Sequence, residues 1–227
     1  TLSSSSAASD VYKRQVLERA THTIVQQVEA MKHMVNEFAE YARAPESNLV
    51  PLDINTLVRD VVDLYRGGSV RVRHDLASTP LYVEGDEGRL RQLLHNLVKN
   101  AAEALLEAAM AGGVAPAVTL RTRLRPDEGL VELRVDDNGP GFPPDLVEHI
   151  FEPYVTTRPK GTGLGLAIVK KIVEEHAGRV HAFNPAEGGA RVLILLPALA
   201  GGAHTVSTGV AVPPGAVEGG ADTAPSC

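Results

Sequence analysis

The sequence lacks tryptophan, has few aromatic residues and contains a single cysteine, and each shortage excludes a class of protein. The lone thiol, Cys227, is the last residue, which excludes a disulfide framework and a thiolate metal cluster. Aromatic residues are 4% of the chain, too few for platforms that stack single-stranded nucleic acid. No apolar run reaches the roughly 18 residues of a membrane helix, so we expect the chain as given to be cytoplasmic, in a reducing compartment.

Positive charge is also scarce, which argues against nucleic acid as a partner. Lys and Arg number 22 against 28 Asp and Glu, giving a formal net charge of −6 at pH 7. Non-specific nucleic-acid binding needs a basic face, so we predict no nucleic-acid partner. The 227 residues, 44% of them hydrophobic, suffice for one soluble domain plus an additional element.

The two ends of the chain differ in composition from the rest. Residues 1–15 are Ser-rich and then polar, and DVYKRQ at 10–15 resembles the translation of a transposase adapter used in sequencing libraries. We therefore expect residues 1–15 to be disordered and non-native. Residues 198–227 are Ala, Gly, Val and Pro without periodicity, which predicts a disordered tail.

Residues 16–45 predict one long helix with an apolar seam. Seam residues recur at alternating spacings of four and three, broken only by Thr21: Leu17, Thr21, Ile24, Val28, Met31, Val35, Phe38 and Ala42. This 3.5-residue period favours a coiled coil or a helix bundle over a helix lying on its own domain. Because one helix cannot bury such a seam, a partner helix is implied.

Residues 46–197 predict a mixed α/β domain. Apolar residues recur with helical spacing in three segments: from an N-cap at Asn55 to Gly67, over 89–110 and over 163–176. Strands are predicted over 70–76, 81–83, 117–125, 130–137, 180–183 and 191–196. In strand 130–137, side chains alternate between the two faces. Asp137 therefore continues the inward apolar face, whereas Asp136 is expected to point to solvent.

Two glycine clusters bracket a segment that we interpret as a lid over a phosphate-bearing ligand. The first is Asp137-Asn-Gly-Pro-Gly141 and the second is Gly161-Thr-Gly-Leu-Gly165, which opens a helix and presents free N–H groups. Asn96 and Asn100 lie four residues apart on one helix face, where they either hold a polar ligand or hydrated cation, or cap local backbone. The P-loop and dinucleotide-binding patterns are both absent.

Four segments, in this order, resemble the N, G1, F and G2 boxes of the sensor histidine kinases: Asn96–Asn100, Asp137–Gly141, Phe151–Tyr154 and Gly161–Gly165. The segment MVNEFAEYARAP at 34–45 further resembles nitrogen-regulation sensor kinases of the NtrY type. The resemblance implies an α+β fold, a two-layer sandwich of the histidine kinase, Hsp90 and gyrase type, over 46–197. Residues 16–45 would be the second helix of a dimerisation hairpin that forms a four-helix bundle.

The resemblance also implies ATP and Mg²⁺ as cofactors and assigns roles to individual residues. Asp137 would accept a hydrogen bond from the adenine amino group, Asn100 would ligate Mg²⁺, and Asn96 would support the metal or the phosphates. Gly139 and Gly141 would let the backbone approach the base. The remaining implied ATP-binding residues carry phosphate charge or form the glycine-rich helix start: Lys99, Thr157, Arg158, Lys160, Gly161, Thr162, Gly163, Leu164, Gly165 and Leu166.

Two departures from the family pattern stand out. Many members carry a basic residue three positions after the second asparagine, where this chain has Glu103. The phosphoacceptor histidine also lacks a counterpart, because neither His22 nor His33 is followed by an acidic residue. We therefore expect an N-terminally truncated kinase that binds ATP and acts on a histidine-bearing helix missing from the chain. Its parent would be an inner-membrane homodimer that passes the phosphoryl group to a response regulator.

Three other functions remain open. An ATPase of the gyrase, Hsp90 and mismatch-repair type would use a glutamate as general base where this chain has Asn96. A non-catalytic nucleotide-binding interaction module would use the long helix to dock a partner. A serine kinase of the anti-sigma type would lack the long helix.

Overall fold

The computed structural model describes residues 3–42, 48–109, 115–158 and 161–199. Its elements, in chain order, are α1 (Ser3–Ala42), β1 (Val50–Asp53), α2 (Ile54–Leu64), β2 (Arg71–Asp75), β3 (Tyr82–Gly85), α3 (Glu87–Ala109), β4 (Ala117–Arg125), β5 (Leu130–Asp137), α4 (Gly165–Glu175), β6 (Arg179–Phe183) and β7 (Arg191–Pro197). None of the helices described is both long enough and apolar enough to cross a membrane.

A five-stranded mixed sheet has the order β2-β4-β5-β7-β6, and β1 and β3 form a separate antiparallel pair. The β2–β4 pair is parallel, and the other pairs of the larger sheet are antiparallel. Helices α2, α3 and α4 contribute buried faces to the same core as the sheet. The predicted two-layer α+β sandwich is confirmed.

Alternation of side chains along the central strands produces the core. Leu120 of β4 is opposite Val135 of β5, and Leu133 of β5 is opposite Ile194 of β7. All four side chains are buried, as are Leu93 and Leu94 of α3. Burying each such side chain contributes about 1.5–3 kcal/mol. The bounds of β4 and β5 match their predicted ranges, because their alternation is long and uninterrupted.

Helix α1 begins at Ser3, so the prediction that residues 1–15 are disordered is wrong from position 3 onward. The segment contains no glycine or proline, and its Ser, Ala and polar residues are compatible with continuing the helix that follows. The seam of α1 is exposed, with Leu17, Ile24, Val28, Met31, Val35 and Phe38 between 51% and 67% accessible. Helix α1 touches the domain near its C-terminal end, where the Lys171 ammonium donates to Tyr41 O at 2.5 Å.

The cap of α2 differs from its prediction. Asp53, not Asn55, is the N-cap, and its carboxylate accepts a hydrogen bond from the Asn55 N–H at 3.1 Å. Asn55 is only 1% exposed: its amide donates to Ala77 O and Thr79 O, and its oxygen accepts from the Thr122 hydroxyl at 2.6 Å. The short amide is therefore a buried link between α2, the loop before β3 and β4.

Asp136 lies on the outer face of the sheet, but the expectation that it points freely to solvent is wrong. Its carboxylate forms ion pairs with Arg121, Arg134 and Arg191, and its side chain is 12% exposed. The pairs form because Asp136 is opposite Arg191 in the β5–β7 register, while Arg121 and Arg134 share its face.

Residues 198 and 199, which were predicted to begin the disordered tail, form backbone hydrogen bonds with the domain. Ala198 N–H donates to Gly129 O, just before β5, at 2.9 Å, and Leu199 N–H donates to Tyr82 O of β3 at 2.8 Å. The rest of the predicted tail, 200–227, lies outside the described residues.

Candidate functional site

A cavity of about 540 Å³ lies between α3, the end of β5 and the segment that precedes α4. Asp137 lines one part of its wall, and Asn100, Arg158 and Thr162 line another. The structure therefore brings together residues from three of the four sequence segments that were predicted to form a nucleotide site, whereas Phe151–Tyr154 does not line the cavity.

Asp137 points inward, as the strand parity predicts. Its Oδ1 accepts hydrogen bonds from the Gly139 N–H at 2.8 Å and from the Ala190 N–H at 3.2 Å. Burial raises the pKa of this carboxyl above its usual value, and the two N–H groups act in the opposite direction. The two backbone N–H groups hold Oδ1, and a carboxylate can also accept a hydrogen bond at its second oxygen, Oδ2.

Ala190 and Gly189 are site residues that sequence reasoning missed. Gly189 has φ +81°, and a Cβ placed on it would lie 1.9 Å from Asp137 O, so only glycine fits this turn. The turn sets the position of the Ala190 N–H against the carboxylate. The Gly188–Gly189 pair before β7 was a visible turn signal, but its link to β5 depends on strand pairing.

The first glycine cluster has a packing role in the structure. Gly141 lines the cavity at φ +82°, and a Cβ there would lie 2.8 Å from Asn184 Oδ1. Asn184 holds this turn by accepting from the Phe142 N–H at 2.8 Å and donating to Phe142 O at 2.7 Å. A Cβ on Gly139 would lie 3.0 Å from Asp137 Oδ1. Gly139 therefore lets the loop lie close to Asp137, and Gly141 lets it lie close to Asn184.

The paired asparagines of α3 occupy different places. The Asn100 carboxamide lines the cavity beside the first residue of α4, because a Cβ on Gly165 would lie 3.5 Å from its Nδ2 and 3.7 Å from its Oδ1. Asn96 lies one turn earlier, and its amide donates to Gly165 O at 3.4 Å. Asn96 thus bonds to backbone, but to that of α4 and not of its own helix.

The second glycine cluster packs against the Phe151–Tyr154 segment. Gly163 has φ +70°, a Cβ there would lie 2.5 Å from the Tyr154 backbone, and Gly163 O accepts from the Tyr154 N–H at 3.0 Å. Helix α4 begins at Gly165, two residues later than predicted, after an N-cap residue without a side-chain cap. Leu164 is fully buried and its side chain packs in the core, whereas Leu166 lines the cavity.

The residues predicted to contact the phosphates do not all line the cavity in the described structure. Lys99, Thr157 and Arg158 line the cavity, and Lys160 lies outside the described residues. Arg158 is already engaged: it donates to the Glu103 carboxylate at 2.5 Å and to Asn100 O at 2.7 Å.

Glu37 of α1 also lines the cavity, which no sequence pattern indicated. Its carboxylate accepts a hydrogen bond from the Thr162 hydroxyl, 125 residues away in sequence. Thr162 Oγ1 in turn accepts from the Leu164 N–H at 3.3 Å, at the start of α4. The long helix therefore contacts the glycine-rich end of the site.

Comparisons with known proteins agree with this geometry. The model of the histidine kinase-, DNA gyrase B- and HSP90-like ATPase family matches residues 85–200. The chain belongs to this family, and within it to the catalytic domains of sensor histidine kinases, so the resemblance drawn from the sequence is confirmed.

One curated relative is the nitrogen regulation protein NtrY of Azorhizobium caulinodans, 40% identical over 191 residues, which are 82% of this chain and 24% of the relative. The chain thus spans about a quarter of the length of that protein. Full-length ShkA in complex with AMPPNP is 31% identical with a TM-score of 0.65, covering 79% of this chain and 38% of the other. ThkA in complex with the response regulator protein TrrA is 28% identical with a TM-score of 0.62, covering 77% and 49%.

Proposed function

We propose that this chain binds Mg-ATP in the cavity and transfers the γ-phosphoryl group to a histidine on a dimerisation helix. That histidine would lie outside the present sequence and would pass the phosphoryl group to a response regulator. One observation carries the proposal: the inward Asp137 carboxylate lines the same cavity as Asn100 and the glycine-rich start of α4.

Asp137 is proposed to bind the adenine base of the nucleotide. A carboxylate oxygen accepts but does not donate, so Asp137 Oδ2 pairs with an exocyclic amino group such as that of adenine. A guanine presents a carbonyl at the equivalent ring position, and two acceptors would repel. Selection of ATP over GTP follows from this one acceptor.

The phosphate end is proposed to comprise Asn100, Lys99, Arg158, Thr162 and the N-terminus of α4. The free N–H groups of a helix start and the helix dipole favour anionic groups. Among the described residues, no cluster of three His, Cys, Asp or Glu side chains is placed to hold a metal. This suits Mg²⁺, which uses one or two protein oxygens with phosphates and water, and the Asn100 amide oxygen is a fitting ligand. When bound, Mg²⁺ neutralises phosphate charge.

Transfer is favoured over hydrolysis by the residue at position 96. An amide has no basic site that can accept a proton from water, and the Asn96 amide is already donating to Gly165 O. The gyrase-type alternative uses a glutamate at this position. We therefore expect steady phosphate release to be very slow.

Association through α1 is proposed to present the histidine-bearing helix. The exposed seam of α1 has the spacing of a bundle helix and the apolar area to associate with other helices. ThkA, a relative by structure, forms a complex with a response regulator, which supports the same class of partner here.

The decisive experiment supplies the histidine from outside. The purified chain is mixed with Mg-ATP labelled at the γ position and a histidine-bearing hairpin from a related NtrY-type kinase. Acid-labile label on the hairpin, lost when Asp137→Asn replaces the wild-type chain, is the expected result. Phosphate release without transfer would favour the ATPase, and absence of ATP binding would overturn the proposal.

A further inference from the structure

The ion pair between Glu103 and Arg158 joins α3 to the segment before the glycine-rich turn. Glu103 lies one helical turn after Asn100, and its Oε2 accepts from Arg158 Nη1 at 2.5 Å. Arg158 Nη2 donates to Asn100 O at 2.7 Å. The guanidinium is thereby fixed by two acceptors beside the Asn100 side chain.

The backbone of Arg158 is also held in place. Its N–H donates to the Thr156 hydroxyl at 3.1 Å, and its carbonyl accepts from the Gly161 N–H at 3.1 Å. Glu103 and Arg158 are 40% and 23% exposed, so the pair itself adds little stability in water. What the contacts fix is orientation, because a planar guanidinium with two acceptors in place directs its remaining N–H donors.

Positive charge on the cavity wall is limited. Within the part of the chain that the structure describes, the cationic lining side chains are Lys99 and Arg158, and the acidic ones are Glu37, Glu103, Glu107 and Asp137. A triphosphate needs cations near it. The basic residue that many family members carry at position 103 is a glutamate here, so position 103 itself cannot supply positive charge.

We propose that Glu103 is a positioning residue that holds the Arg158 guanidinium on the phosphate side of the cavity, so that Arg158 supplies the charge expected from position 103. The inference rests on the proposed function, because it assumes a nucleotide in this cavity. It gives a role to Glu103, which departs from the family pattern at this position.

The test asks whether substitution of Glu103 strengthens or weakens ATP binding. Removing a negative charge beside phosphates should by simple electrostatics strengthen ATP binding. If Glu103 positions Arg158, Glu103→Gln instead weakens Mg-ATP binding about fivefold, the loss of a charge-assisted hydrogen bond. Adenosine affinity, measured by competition with a fluorescent ATP analogue, stays unchanged.

Two controls separate positioning from structure. Glu107→Gln removes the same charge from the same helix one turn further on, where the carboxylate is 3.8 Å from Arg158 Nε, and should change ATP affinity less than twofold. Because Glu103 acts through Arg158, the double variant Glu103→Gln/Arg158→Gln should bind ATP no more weakly than Arg158→Gln alone.

The results distinguish failure of this inference from failure of the proposed function. Stronger or unchanged ATP binding by Glu103→Gln, or additive losses in the double variant, would overturn the inference. If wild type binds Mg-ATP and Asp137→Asn weakens that binding, such results leave the proposed function standing. A wild-type chain that does not bind Mg-ATP removes both.

Discussion

Asp137 Oδ1 accepts a hydrogen bond from the Ala190 N–H, 53 residues further along the chain, at 3.2 Å. A carboxylate predicted to bind adenine is therefore oriented by the turn before β7, which the sequence had not connected to it. The other bond to this oxygen comes from the Gly139 N–H. Asn in place of Asp can keep both bonds, since its amide oxygen is also an acceptor.

The Asp137→Asn variant should separate stability from binding. The pKa of Asp137 is raised by burial, so the folded state favours the protonated form and the ionised form costs stability at neutral pH. Replacing it with a neutral isostere should leave the thermal midpoint at pH 7 equal or higher. ATP affinity should fall about tenfold or more, because a donor replaces the acceptor at Oδ2. Calorimetric binding and a thermal melt measure the two effects, and a lower midpoint with unchanged affinity would contradict both.

Binding of the base should weaken in acid. Protonation of Asp137 converts its free oxygen from an acceptor to a donor. Because the pKa is raised, this loss begins at a higher pH than the usual carboxylate value of about 3.9. Adenosine is the suitable probe, since it has no phosphate to titrate, and its affinity should decline as pH falls toward that range. Asp137→Asn is the matched control and should lack this pH dependence; the same decline in both proteins would exclude Asp137 as its cause.

Two neighbouring glycines should differ sharply in their tolerance of alanine. A Cβ on Gly189 would lie 1.9 Å from Asp137 O, at φ +81°. Gly189→Ala must therefore displace the backbone and should lower the unfolding free energy by about 3 kcal/mol or more and weaken ATP binding. Gly188 has φ +92° but no atom within 4 Å of a Cβ, so Gly188→Ala should cost only about 1–2 kcal/mol. Urea denaturation of the pair measures the difference, and equal costs would show that the close approach is unimportant.

The seam of α1 should matter for association and not for folding. Ile24 and Val35 are exposed, whereas Leu133 of β5 is buried. Ile24→Ser/Val35→Ser should therefore leave the unfolding free energy of the domain nearly unchanged, while Leu133→Ala should lower it by about 2–5 kcal/mol. Sedimentation of wild type and seam variant would measure self-association, which only the seam variant should lose. A seam variant that associates like wild type would show that these side chains are not the interface.

Sequence patterns predicted the parts of the fold that depend on local periodicity. Strands β4 and β5 were predicted with their observed bounds, and the same alternation placed Asp137 on the inward face. Asn55 was misjudged because a short polar residue before an apolar helix usually caps it. Its actual partners, such as Thr122 at 67 positions away, are set by how α2 lies on the sheet.

The site was predictable to the extent that each of its segments carries its own signal. Asparagine spacing, the two glycine clusters and strand parity are all local. The contacts of Glu37 with Thr162 and of Glu103 with Arg158 join segments 125 and 55 residues apart, so only the packed structure brings them together. Gly189 gives only a turn signal in the sequence, because its close approach to Asp137 O also depends on packing between distant segments.

Asp136 and Asp137 are adjacent in sequence, but their carboxylates lie on opposite faces of the sheet and so have different surroundings. Three arginines neutralise the first on the outer face of the sheet, and the second stays ready for a ligand on the inner face. A slip of β5 by one residue would exchange the two. Correct pairing of β5 with its neighbours therefore decides which of the two aspartates lines the cavity.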